Sequence, residues 1–156
     1  MGDESTKRAA QEYLAARLSE EGQSYEDKLN MEAAIALAPA AWKRFADTVI
    51  EKCNEWNAVT QEQTLTCKET ILGDLRILCA GKTQQMTVHY DSKKRLITVR
   101  NTARLEHEPE VILGIEGYST ETGRKAHVVR NNEPVNLDML ILGQLRVLAG
   151  LSRKAD

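Results

Sequence analysis

The sequence predicts an α+β fold of two layers, in which N-terminal helices and a C-terminal helix pack on one face of an antiparallel sheet of five or six strands. Two changes of hydrophobic period carry this expectation. From Trp42 to Trp56 the apolar residues Trp42, Phe45, Ala46, Val49, Ile50, Cys53 and Trp56 fall within an arc of roughly 140° at helical spacing, with polar residues filling the rest. Past Asn57 the period drops from 3.6 to 2 and stays there to about Arg130, and from Leu137 to Leu151 it returns to helical. The 156 residues are read as one domain: 1–57 helical, 61–131 antiparallel sheet, 136–151 the closing helix.

Within the helical part, Ala10, Tyr13, Leu14 and Leu18 recur at helical spacing with Arg17 intruding, which gives a narrow apolar stripe ended by Gly22. Ser24-x-x-Asp27 has the form of a capping box and introduces a second run carrying Leu29, Met31, Ala34, Ile35 and Ala38. Pro39 either starts the Trp42 helix or bends one continuous helix from Ser24 to Asn57, since proline suits a first turn and kinks an interior.

In the sheet, Leu65, Cys67 and Ile71 alternate with polar neighbours, as do Leu75, Ile77 and Cys79. A three-residue loop at Gly73-Asp74 keeps the apolar sets together and sets Cys67 opposite Cys79, where the two thiols would form a redox-sensitive pair. Met86, Val88 and Tyr90 continue the alternation, and a four-residue loop over Asp91-Ser92-Lys93-Lys94 sets Val88 opposite Ile97 and Met86 opposite Val99. A third hairpin pairs Val111–Glu116 with Lys125–Arg130 around the polar loop Ser119–Arg124. Asn136 caps the last helix and Gly150 stops it. Leu137, Leu140, Ile141, Leu145, Val147, Leu148 and Leu151 form its main stripe, while Met139 and Leu142 project from the other side.

Composition narrows the function classes. Net charge is −2, with aromatic residues at 4%, which argues against a nucleic-acid or membrane-surface partner. Residues 1–57 hold seven Lys/Arg against eleven Asp/Glu, and residues 58–156 fourteen against twelve, so the helical part is acidic and the rest mildly basic. The basic residues Lys93, Lys94, Arg95, Arg100, Arg104, Arg124, Lys125 and Arg130 lack the interleaved aromatics of a single-strand-binding sheet. Three cysteines, Cys53, Cys67 and Cys79, cannot all pair within one chain, which fits a reducing, cytoplasmic setting. The acidic start Met1-Gly2-Asp3-Glu4 is not that of a secretory signal, and the longest uncharged run, Ala33–Trp42, is half a membrane span. Met1-Gly2-x-x-x-Thr6 fits a myristoylation pattern, which Asp3 and Glu4 oppose at an anionic membrane.

No catalytic motif is complete. Ala80-Gly81-Lys82-Thr83 ends like a phosphate-binding loop, but Arg76 stands where its first glycine belongs and a strand follows. His107-Glu108 begins like a zinc-protease motif, yet Pro109 follows and Val111 replaces the second histidine; Glu106, His107, Glu108 and Glu110 could at most gather a cation. Gly117-Tyr118-Ser119-Thr120-Glu121 lacks the closing glycine of a nucleophile elbow. Alternation separates His89 from Cys67 and Cys79, so a shared metal site with His127 conflicts with the strand faces. No catalytic residue, metal ligand or cofactor is assigned. The expectation is a non-enzymatic interaction or scaffold protein, self-associating or binding a protein partner through Met139 and Leu142, joined by Leu78 and Leu96 on the outer sheet face. The alternative is a small-ligand binder or enzyme with a pocket between helices and sheet, where His89, Tyr90 and Glu116 supply polar groups.

Overall fold

A computed structural model describes residues 2–103 and 110–151, with the side chains of residues 2 and 3 left aside. The chain is α+β, as expected. Among the described residues, one helix, α1 (Gly2–Thr60), leads into seven strands, β1 (Leu65–Glu69), β2 (Leu75–Cys79), β3 (Gln85–Asp91), β4 (Leu96–Asn101), β5 (Val111–Thr120), β6 (Gly123–Arg130) and β7 (Glu133–Pro134), and α2 (Leu137–Leu148) follows them. The strands form one antiparallel meander in chain order, with α1 and α2 on the same face.

The core is where the two periods meet. Phe45, Val49 and Cys53 of α1 and Ile141, Leu145 and Leu148 of α2 are buried against Leu65, Ile77, Met86, Val88, Ile97, Val99, Val111 and Leu113. Trp42 stacks on Phe45 and on Tyr90 of β3, with ring centroids 6.2 and 5.2 Å apart. Each such burial is worth about 1.5–3 kcal/mol before chain entropy is charged against it. Ile50 departs from the expected arc and is 41% exposed.

Polar groups fix the ends. The Asn57 amide donates to the Leu65 carbonyl and accepts from the Leu65 N–H, both at 2.8 Å, so the end of α1 acts as a strand neighbour for the start of β1. Asn101 at the end of β4 donates to the backbone and side-chain oxygens of buried Gln144, which ties α2 to the sheet. At β5, a Cβ on Gly117 would lie 2.2 Å from the Asn30 carbonyl oxygen, so only glycine lets α1 come this close.

The helices and hairpins correct the sequence reading in four places. Gly22 does not end a helix, and Ser24 caps none: α1 runs unbroken through both and through Pro39. A glycine costs about 1 kcal/mol against alanine, too little to stop propagation from a helix already nucleated by its docked part. In the first hairpin Cys67 faces Ile77, and Cys79 faces Leu65, a shift of two residues from the expected pairing. The turn is longer than three residues because Thr70 closes it, exchanging hydrogen bonds with Asp74 while Gly73 takes φ +86°. In the second hairpin Val88 faces Val99 and Met86 faces Asn101, again two residues from expectation. There Arg95 adopts φ +54° and joins the turn, while Asp91 stays in the strand and accepts from the Lys93 and Lys94 amides. The polar loop around residues 119–124 is mostly strand, since β5 reaches Thr120 and β6 begins at Gly123. A shift of two preserves the face of every paired side chain, so the inward residues stand despite both register errors, except Ile71, which falls in the turn and is fully exposed.

The seventh strand is an addition. Asn131 and Asn132, with φ of +53° and +66°, form the tight turn that folds Glu133-Pro134 back onto β6. Asn136 caps α2 through the Met139 amide at 3.1 Å, and Gly150, at φ +86°, follows its end, as the sequence indicates.

Candidate interaction surfaces

α1 changes character at Asn30. From there to Asn57 it presents Ala34, Ala38, Phe45, Val49 and Cys53 to the sheet, whereas every side chain from Glu4 to Lys28 is exposed. The changeover is marked by Arg124 of β6, which donates to Asn30 Oδ1 and, at 2.9 Å, to Glu26 Oε2. Beyond that tether, residues 4–25 continue as a helical arm about 33 Å long at 1.5 Å per residue. Arg17–Glu21 and Gln23–Asp27 pairs one turn apart support it locally. Tyr13, Leu14, Leu18 and Tyr25 are 65%, 53%, 67% and 63% exposed. The sequence reading recognised the Tyr13, Leu14, Leu18 stripe as helical and missed that it faces water.

A second surface lies at the other end of the chain. The β6–β7 turn and the outer side of α2 enclose an open groove of about 1100 Å³ whose apolar lining includes Val135, Met139, Leu140 and Leu142. Its charged lining is Arg130, Glu133 and Arg146. Met139 and Leu142, expected at an interaction surface, are 72% and 43% exposed here. Leu78 and Leu96 are not beside them: both are half-buried on the outer face of the sheet, remote from α2.

The polar residues expected in a pocket do not converge. Tyr90 points inward onto Trp42, while His89 points outward from the same strand. Glu116 faces His127 across β5 and β6, and His127 in turn stacks on Tyr118 at 4.3 Å. His89 Nδ1 lies 2.6 Å from Asp74 Oδ1, in a depression of about 450 Å³ shared with Thr87, Thr98 and Arg100, and Arg100 pairs with Glu110 at 2.9 Å. In this depression Arg100 and Glu110 are thus paired with each other, and Asp74 is hydrogen-bonded to His89. Gly81-Lys82 forms the β2–β3 turn, with the Lys82 amide bonded to Cys79 O, and a strand follows. Arg104, Glu106, His107, Glu108 and Pro109 lie outside the described residues. Among the described residues no group of three or more His, Cys, Asp or Glu side chains is placed to hold a metal ion, and no helix is long and apolar enough to cross a membrane.

The thiol neighbour of Cys67 is Cys53 of α1, not Cys79. Hydrogen bonding between the two raises the Cys53 thiol well above its ordinary range, with burial adding to the shift, and lowers that of Cys67. No family model, curated protein or solved structure matches this chain.

Proposed function

We propose that this protein is a non-enzymatic interaction module that holds the N-terminal part of α1 out as a docking arm. The observation that supports it most is the contrast within one helix: residues 30–57 bury their apolar face, while residues 4–25 carry Tyr13, Leu14, Leu18 and Tyr25 into solvent. An exposed stripe of large side chains on a helix with its polar face intact is what helix-in-groove recognition uses. A photo-crosslinking residue at position 18 of the full chain, in the cells that make it, is expected to yield discrete protein adducts. A protein that crosslinks to nothing from that position would overturn the proposal.

A further inference from the structure

We infer that Cys53 of α1 and Cys67 of β1 form a reversible disulfide site, closed by hydrogen peroxide and opened by a small thiol. This goes beyond the docking-arm reading and stands without it.

One anchor sets the geometry. Asn57 exchanges two hydrogen bonds with the Leu65 backbone, which fixes the end of α1 against the start of β1, the edge strand of the sheet. Cys53 lies four residues back along the helix, on the same face and about 6 Å along its axis. Cys67 lies two residues on along the strand, on the same inward side as Leu65 and about 7 Å away. Both steps lead away from the connection at 61–64, so they carry the two side chains to one level. Cys53 is buried in the core, Cys67 is half-buried against that core, and the two thiols share a hydrogen bond.

Register sets Cys79 apart. Its partner across the strands is Leu65 while Cys67 faces Ile77, so the two strand cysteines are diagonal neighbours. Diagonal positions lie about 7–8 Å apart, at or past the reach of a disulfide. The Cys79 thiol turns instead to the Ala80 carbonyl oxygen, 3.8 Å away.

The two thiols are unequal, which orders the chemistry. The shared hydrogen bond, helped by burial, keeps Cys53 protonated, and the same bond favours the thiolate at Cys67, the more accessible of the two. The Cys67 thiolate attacks one peroxide oxygen: an S–O bond forms, the O–O bond breaks, and the departing hydroxide takes up a proton as water. Cys67 is then a sulfenic acid. Cys53 Sγ attacks Cys67 Sγ, an S–S bond forms, the S–O bond breaks, and the Cys53 proton leaves with the hydroxide as a second water. The thiol pair has lost two electrons and the peroxide has gained them. Two equivalents of a small thiol reverse the step by exchange and leave as their own disulfide. The closed bond ties the docked end of α1 covalently to the edge of the sheet.

The test is a thiol map of the full, folded chain after excess hydrogen peroxide, unfolding in iodoacetamide and digestion with trypsin. Lys52 and Lys68 flank the pair with no basic residue between, so both cysteines leave in one peptide, 53–68. That peptide is expected unlabelled and two hydrogens lighter than its reduced form, and doubly labelled once a small thiol has been added first. Free thiols should fall from three to one, the remaining one being Cys79. Cys79→Ala should still close the bond, and Cys53→Ala should stop at a sulfenic acid on Cys67 that dimedone traps. The melting temperature of the oxidised chain should rise by roughly 5–10 °C, as expected for a closed loop of this length. The wild-type map decides by itself, whether or not the variants fold. Three labelled cysteines, a bond from Cys67 to Cys79, two 53–68 peptides joined between chains, or a sulfinic acid on Cys67 beside a labelled Cys53 would each overturn the site. A fall in melting temperature on oxidation would mean that the bond forms only by distorting the fold, and overturns it as well.

Discussion

The two parts of α1 share one backbone conformation and differ in almost everything else. Residues 30–57 are held by aromatic stacking on Tyr90, by the Asn57 bonds to Leu65 and by a glycine cut to fit Asn30. Residues 4–25 are held by continuity with them and by pairs within the helix itself. Helix formation is costly to start and cheap to extend, so a docked helix can carry an undocked extension of several turns that would be marginal alone. The docked part therefore sets the fold, and the extension is available for recognition.

The largest expected effect falls on the docked part. Phe45→Ala removes a fully buried ring and should cost about 3–5 kcal/mol in a denaturant titration. If it costs under 1 kcal/mol, α1 is not anchored where the structure puts it. Gly117→Ala drives a Cβ into the Asn30 carbonyl and is expected to cost roughly 1–3 kcal/mol, because backbone cannot rotate away as a side chain can. Gly22→Ala, in open space on the arm, should instead stabilise slightly, by about 1 kcal/mol or less. A reversed order for the two glycines would erase the distinction between docked and undocked helix.

Two smaller effects sharpen the sheet side of the comparison. Hydrogen bonds from the Lys94 and Lys93 amides, with the nearby charges of Lys94 and His89, hold the Asp91 carboxyl below its ordinary pKa. A carboxyl depressed in the folded state contributes stability that is present above its unfolded pKa and is lost as pH falls through the folded one. Acid titration of stability should therefore be shallower in Asp91→Asn than in wild type, and identical slopes would remove Asp91 from the turn. The shift at Cys67 predicts that iodoacetamide near neutral pH modifies Cys67 before Cys53, read by peptide mass.

What could be read from the sequence was local and periodic. The inward faces of β1 to β4 followed from alternation, and the Trp42–Trp56 arc from helical spacing, because both depend on neighbours a few residues apart; those of β5 and β6 did not, since consecutive Val128 and Val129 are both buried. Register did not follow, since it turned on whether Arg95 or Asp91 entered a turn and on how Thr70 closed its loop. Those choices are decided by backbone hydrogen bonds that composition does not rank. The Asn131-Asn132 pair did carry a readable signal for the seventh strand, as two residues tolerant of positive φ between apolar runs. Gly117 within a strand was a second, marking a close backbone approach. On the candidate surfaces, Met139 and Leu142 stood out as spare apolar residues on an already amphipathic helix. The arm did not, because an apolar stripe has the same spacing whether it meets a core or water.

Backbone amide hydrogen exchange along α1 of the full chain tests the central claim most directly. Residues 4–25 should exchange far faster than residues 30–57. Equal, strong protection of both parts of α1 would mean that residues 4–25 are docked as firmly as residues 30–57, and would contradict the account.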